Sequence, residues 1–220
     1  MKFLVFLPLF AALLLAGCGE KSLSDADVEQ LLKEAAEVGS LEWRDDLAYQ
    51  NSEPYSGWVK EMYNSGQVQS LVRLKDGRPH GLIIEWYDGG QKSVEVTYKD
   101  GKMNGLWTTW HENGQQAEEG AYKDGKPDGL WIEWHENGQK ESKVNYKDGE
   151  MDGLPTVWYE NGQKKAEGIY KDDQLNGLAT GWHENGEKWH EETHKEGKLI
   201  SEKYWNSKGE EVATREESEK

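Results

Sequence analysis

Cysteine is almost missing from this chain: Cys18 is the single one in 220 residues, which excludes an intramolecular disulfide and any stapled framework. The apolar run Phe3 to Leu15 is too short for a span, which takes ~20 residues. Basic charge is also in deficit, with 26 Lys and Arg against 42 Asp and Glu and a formal net charge of −16. Such a field repels phosphate backbones and anionic head groups, and so argues against nucleic acid as a partner. It attracts a basic protein partner, and it also keeps an exported β-rich protein soluble. No Gly-x-Ser-x-Gly, phosphate-binding loop or Cys–His pair occurs, so no nucleophile is set up for catalysis.

What is present begins with an address. Met1-Lys2, the apolar run and Leu15-Ala16-Gly17-Cys18 make a basic n-region, an h-region and small residues before a cut, as in an export signal. The ending Leu-Ala-Gly-Cys resembles the lipobox of bacterial lipoproteins. That resemblance implies cleavage after residue 17 and acylation of Cys18, and several acyl chains anchor a protein stably to a membrane. In the Gram-negative lipoprotein pattern that the ending resembles, Gly19 after the Cys implies the outer membrane, facing the periplasm or the cell surface. Removal of residues 1–17 takes away Lys2, leaving 25 basic against 42 acidic side chains and a charge of −17.

Residues 18–52 read as a linker, a short helix and a lead-in strand. Ser24 is placed to cap a helix with Asp25 and Asp27 in its first turn, and Gly39 is placed to stop it. Val28, Leu31, Leu32, Ala35 and Val38 form one apolar stripe, expected to cover the first repeat edge. A partner-binding role for the helix is the alternative. Trp43, Leu47, Tyr49 and Tyr55 are available for an irregular first strand.

From residue 53 to 209 the chain repeats. His111-Glu112-Asn113-Gly114-Gln115 returns 24 residues later at His135, then at Tyr159 and at His183. The same period places Gly57, Gly81, Gly105, Gly129, Gly153 and Gly177, Trp86, Trp110, Trp134, Trp158 and Trp182, and Tyr98, Tyr122, Tyr146 and Tyr170. A fixed short period marks a repeat architecture in which each unit buries its apolar face against its neighbours. Alternation on both sides of each Asn-Gly predicts β-hairpins. The expected fold is therefore all-β, an elongated single-sheet meander of about six 24-residue hairpin repeats after a short N-terminal helix. Met62, Leu74, Asp173 and His194 depart from the consensus near the ends, as capping units do. Residues 210–220 are charged and expected to be disordered.

Register decides which side chains share a face. A three-residue loop, Glu112-Asn113-Gly114 with a bulged Gly, pairs Leu82 with Val96 and Ile84 with Val94. The Asp-Gly turns at the other edge are expected to be of the same kind. This register makes Leu82, Trp86, Leu106, Trp110, Leu130, Trp134, Leu154 and Trp158 the core face. It sends Tyr87, Trp107, His111, Trp131, His135 and Tyr159 outwards as a candidate binding strip, since aromatic side chains dominate interface energetics.

The repeats themselves, Gly-Leu-Trp-x-x-Trp-His-Glu-Asn-Gly-Gln followed by Tyr-Lys-Asp-Gly-Lys-x-x-Gly, resemble the variant MORN repeat of bacteria. Whole chains of this layout are similar to the YwqK-type antitoxins of toxin–antitoxin systems. The resemblance implies a β-hairpin solenoid that binds another molecule, with neutralisation of a toxin as one role.

A metal is not expected. Equivalent His residues in a hairpin array lie two strands, ~10 Å, apart, whereas zinc needs each ligand atom within ~2.1 Å. The nonapeptide calcium repeat is absent, and Asp-Gly serves the turns for backbone reasons. No cofactor and no catalysis are expected. The functional expectation is a lipid-anchored envelope protein, held to the membrane through Cys18, that binds a protein partner. The narrower alternatives are an antitoxin or immunity protein against a toxin, and glycan or peptidoglycan binding.

Overall fold

Two kinds of turn alternate along the chain and between them set its architecture. The computed structural model describes residues 23–218. The export segment and Cys18 lie outside the described residues. The N-terminal part contains α1 (Asp25–Glu34), β1 (Ala36–Glu37), β2 (Glu42–Arg44), β3 (Leu47–Gln50) and β4 (Glu53–Pro54). The first four hairpin strands pairs follow as β5 (Gly57–Met62) and β6 (Val68–Lys75), β7 (Arg78–Trp86) and β8 (Lys92–Lys99), β9 (Lys102–Trp110) and β10 (Gln116–Lys123), then β11 (Lys126–Pro127), β12 (Gly129–Trp134) and β13 (Lys140–Lys147). The chain continues through β14 (Glu150–Met151), β15 (Thr156–Trp158), β16 (Lys164–Lys171), β17 (Gln174–Trp182), β18 (Lys188–Lys195), β19 (Lys198–Trp205), β20 (Glu211–Val212) and α2 (Arg215–Ser218). β1 runs parallel to β5, and β5 to β20 follow as an antiparallel meander, giving one 17-stranded sheet. β2, β3 and β4 form a separate three-stranded sheet. The chain is thus the expected all-β hairpin meander behind a short helix.

At one edge the loops are as expected. His111 N–H donates to Gln115 O at 2.8 Å and Gly114 N–H to His111 O at 2.9 Å, a three-residue loop whose Gly114 has φ +82°. The left-handed conformation is why Gly recurs there. The opposite edge differs from expectation. Asp124 and Gly125 both have positive φ, 51° and 84°, and Lys123 pairs with Lys126. This is a two-residue turn of the mirror-image type whose twist matches that of the strands. Asp tolerates its first position because its short polar side chain tolerates the left-handed region.

The register of the strands also differs from the expected one. The loop starts each hairpin as foreseen, with Trp110 opposite Gln116, but the next pair is Thr109 with Glu118. Ala117 is an extra residue, a β-bulge, and Ser93, Glu141, Lys165 and Trp189 occupy the same place in their hairpins. One bulged residue undoes the one-residue shift of the loop. Leu106 therefore faces Ala121, Leu82 faces Thr97 and Ile83 faces Val96. Paired residues share a face, so Ile83, Val96, Trp107 and Trp131 stand together on what we term the first face. Leu82, Leu106, Leu130, Leu154 and Leu178 stand on the second.

Burial follows this register. Trp131 is 8% exposed, whereas Leu106 is 67% and Leu154 52% exposed. The expected core column of Leu residues is thus largely solvent-facing. On the second face Leu71 and Ile84 are buried near the start, and Thr156 and Thr180 further on. Lys60 shares that row, and its ammonium reaches Leu32 O at the end of α1, 3.1 Å away, which places α1 on this side of the sheet.

Capping explains why α1 forms and how the first edge is closed. Ser24 and Asp27 make a reciprocal capping box. The helix ends at Glu34, before the expected stop at Gly39, and none of its residues is buried. Ala36 and Glu37 then pair with Val59 and Lys60, so a strand rather than the helix alone covers the β5 edge. Leu41, Ala48, Val59 and Leu74 form a buried cluster with Val38, Tyr55 and Val72 packed on it. Leu74, where later units carry Tyr, thereby belongs to the cap. At the other end the tail departs from the expected disorder. β20 pairs with β19, Ser218 is fully buried, and the Arg215 guanidinium lies 5.7 Å from the Trp189 ring centroid.

Successive loops are stitched by asparagine. Asn137 Oδ1 accepts from Gln139 N–H and its Nδ2 donates to Glu160 O of the next loop, both at 2.9 Å. Asn113, Asn161 and Asn185 repeat the arrangement. Replacing Asn137 by Ala removes both bonds and should lower stability by about 1 kcal/mol. Thermal unfolding of the full chain checks this, with Lys140→Ala as an exposed control expected to shift Tm little.

Candidate binding face

The six side chains of the expected strip divide into two structural groups. Tyr87 and Tyr159 lie beside the loops and donate their hydroxyls to Trp110 O and Trp182 O, at 2.8 and 2.7 Å. His111 and His135 do the same through Nε2, 2.8 Å from Trp134 O and 3.2 Å from Trp158 O. A carbonyl can only accept, so the ring proton sits on Nε2. Tyr and His thus replace one another at positions 87, 111, 135 and 159 because either reaches the backbone of the following repeat.

Trp107 and Trp131 are the second group, and their outward placement is corrected by the bulged register. Trp107 packs edge-on against Tyr122 (5.8 Å), Tyr122 against Trp131 (5.0 Å) and Trp131 against Tyr146 (6.1 Å). Edge-to-face rings at such distances add to the burial they bring. Trp131 also donates from Nε1 to Ala121 O at 3.2 Å. Its ring lies over Gly120, where an added Cβ would come within 2.2 Å of an indole carbon. The absence of a side chain at Gly120 is what lets an indole lie flat on the neighbouring strand.

This ladder carries an electrostatic conflict. Glu118 and Glu133 are directly opposed across β10 and β12, a destabilising arrangement for like charges. Trp107 Nε1 donates to Glu118 at 3.0 Å and Ser142 Oγ to Glu133 at 2.9 Å. Burial pushes the Glu118 carboxyl up from its ordinary value, the Trp107 N–H draws it back, and Glu133 pushes it up again. Burial likewise raises Tyr98, Tyr122 and Tyr146, with nearby carboxylates adding to the effect.

Beyond Trp131 the first face changes character. The 24-residue position held by Trp107 and Trp131 passes to Pro155 and Ala179. Ala179 faces Gly168 as Trp107 faces Gly120. Where two indoles would stand there is a trough of about 650 Å³. Val157, Ala166, Gly168, Ala179 and Gly181 form its floor, with Val144, Met151, Tyr170, Leu175, Trp189 and His190 around it. His190 is stacked between Trp189 and Tyr204, at 4.8 and 4.9 Å. Apolar hollows of ~300–1,000 Å³ with few polar groups are the usual form of a binding site. The 24-residue period of the sequence alone puts Pro155 and Ala179 in the place of Trp107 and Trp131. The meaning of that replacement depends on which face Trp107 occupies.

Among the described residues, no three His, Cys, Asp or Glu side chains gather as a metal site would require. His190 and His194 share a strand, and His194 Nε2 lies 3.0 Å from Glu192.

A stitched β-hairpin array with one face hollowed between aromatic walls defines a repeat-built scaffold. Four consecutive segments, residues 79–100, 103–124, 127–148 and 151–172, match the family model of the MORN repeat variant. Those boundaries fall at the same place in successive hairpins, and the units on either side share their turns. No curated protein matches the chain.

Two substitutions probe the ladder. Gly120→Ala should destabilise the protein by about 1–3 kcal/mol through overpacking against Trp131, read by denaturant unfolding. An acid whose pKa is raised by folding contributes stability that is present at low pH and lost as pH rises through the folded value. Glu118→Gln, which keeps an acceptor for Trp107, should therefore raise Tm at pH 7, with the gain disappearing below the ordinary carboxylate range.

Proposed function

We propose that this protein is a non-catalytic interaction module, tethered to the cell envelope by lipid on Cys18, that presents the first face of its last repeats to a protein partner. One observation carries the reading: the position held by Val59, Ile83, Trp107 and Trp131 in the earlier repeats passes to the smaller Pro155 and Ala179, so the hollow is written into the sequence of residues 155–181. Interfaces draw their energy from apolar anchors seated in desolvated pockets, and this trough offers such a seat. The four MORN repeat matches support a binding scaffold of this kind. The Leu-Ala-Gly-Cys ending of the export segment supports the anchor.

The resemblance to YwqK-type antitoxins favours a narrower second reading, in which the partner is a toxin. Export is compatible with immunity against an incoming toxin rather than with neutralisation of one made in the cytoplasm. Glycan binding loses its best anchors, because Trp107 and Trp131 spend their ring faces and edges on Tyr122, Tyr146 and Gly120.

Two measurements test the proposal. Cys18→Ala should abolish incorporation of a palmitate analogue and release the protein from the membrane fraction. A photo-crosslinking residue at Ala166, on the trough floor, should give discrete protein adducts in the cell, whereas one at Leu130 on the second face should not. Absence of adducts from both positions contradicts an interaction role.

A further inference from the structure

Both ends of the trough are marked by opposed carboxylates on the same face. At one end Glu118 faces Glu133 across β10 and β12. At the other Glu192 faces Glu202 across β18 and β19. Two such pairs bracketing one apolar hollow cost stability in the free protein. Their hydrogen-bond donors are neutral, Trp107 and Ser142 at one end and Tyr204 at the other; His194 stands beside Glu192, and the Arg215 guanidinium over Trp189 acts on Tyr204 at the same end. Lys165 stands at the side of the trough, its ammonium 5.5 Å from the Tyr159 ring centroid.

We propose that the trough receives an extended peptide segment of a partner protein, apolar in the middle and carrying Lys or Arg at both ends. The hollow takes the apolar side chains, and each terminal cation sits between a pair of carboxylates and relieves their repulsion. Glu133 and Glu192 are five strand steps apart, about 24 Å at ~4.8 Å per step. An extended chain advances ~3.3 Å per residue, so the two cations are separated by about seven residues. The whole protein's charge of −16 steers such a segment in and disfavours a second copy of this chain on the same face. The assignment rests on the interaction role proposed above and specifies its face and its partner's chemistry.

The test uses the full acylated protein in phosphatidylcholine nanodiscs, with empty nanodiscs as the control for lipid binding. Three pools of nonapeptides share a degenerate Leu/Val/Phe/Ala centre and differ at positions 1 and 8, fixed as Lys, as Glu or as Ser. The Lys pool should be retained at least tenfold over the Glu pool, and the preference should shrink as salt is raised. Ala179→Trp restores the indole that Trp107 and Trp131 place in earlier repeats, with Gly168 below it to make room, and should reduce retention of the Lys pool at least tenfold. Glu133→Gln/Glu192→Gln should bring the Lys and Glu pools to within about twofold while leaving the Ser pool unchanged. Circular dichroism and thermal melting establish that each variant is folded. Equal retention of Lys and Glu pools by the wild type, or undiminished binding by folded Ala179→Trp, overturns the proposal. So does a dimer in sedimentation that Ala179→Trp dissociates. If no pool binds while the Ala166 photo-adducts persist in cells, this peptide chemistry is wrong and the interaction role stands. Loss of those adducts as well removes both.

Discussion

The extra residue that follows each three-residue loop decides what this protein shows to its surroundings. A left-handed Gly at the loop shifts the pairing by one residue, and the bulge at Ser93, Ala117, Glu141, Lys165 or Trp189 shifts it back. Because a strand has a period of two, that single residue exchanges the faces of every side chain between the bulge and the opposite turn. With it, Trp107 and Trp131 join Tyr122 and Tyr146 in an interlocked column. Without it, the same indoles would face solvent and the Leu column would be covered. The aromatic ladder, the Glu118–Glu133 opposition and the trough all descend from this choice.

A one-layer sheet has little core, and the second stabilising element is the edge. Four loops are bonded to the next by an Asn amide, at Asn113, Asn137, Asn161 and Asn185, and Tyr63, Tyr87, His111, His135 and Tyr159 each reach a Trp carbonyl of the following repeat. These bonds run along the array and couple nearest neighbours, as in other repeat proteins. They also account for why the loop sequence recurs so closely while the first face is free to vary. Val, Ile, Trp, Trp, Pro and Ala succeed one another at positions 59, 83, 107, 131, 155 and 179 without disturbing the stitching. Function can therefore be written onto one face of a scaffold whose edges hold it together.

Much of this was legible beforehand. The 24-residue period, the hairpins, the Gly-containing loops, the capping box at Ser24 and the atypical ends follow from local chemistry, namely positive φ, alternation and helix capping. The faces did not follow, for a physical reason. Leu106, Trp107 and Trp110 are all large and apolar, so the composition of β9 does not say which side is buried, and a bulge at Ala117 or Ser93 leaves no residue signature comparable to Gly. The roles of His111 and Tyr87 were likewise hidden, because their acceptors are backbone carbonyls one repeat away. The order of the tail is not legible in its composition, because its few contacts, such as Arg215 with Trp189, depend on a strand edge formed elsewhere in the chain.

Cross-strand nuclear Overhauser effects in the isotopically labelled full chain test the bulged register directly. Contacts joining Leu82 with Thr97, Ile83 with Val96 and Leu106 with Ala121 are the predicted result. Contacts joining Leu82 with Val96 and Ile84 with Val94 would contradict it, restoring the Leu column as core and removing the trough from the face on which its ligand is placed.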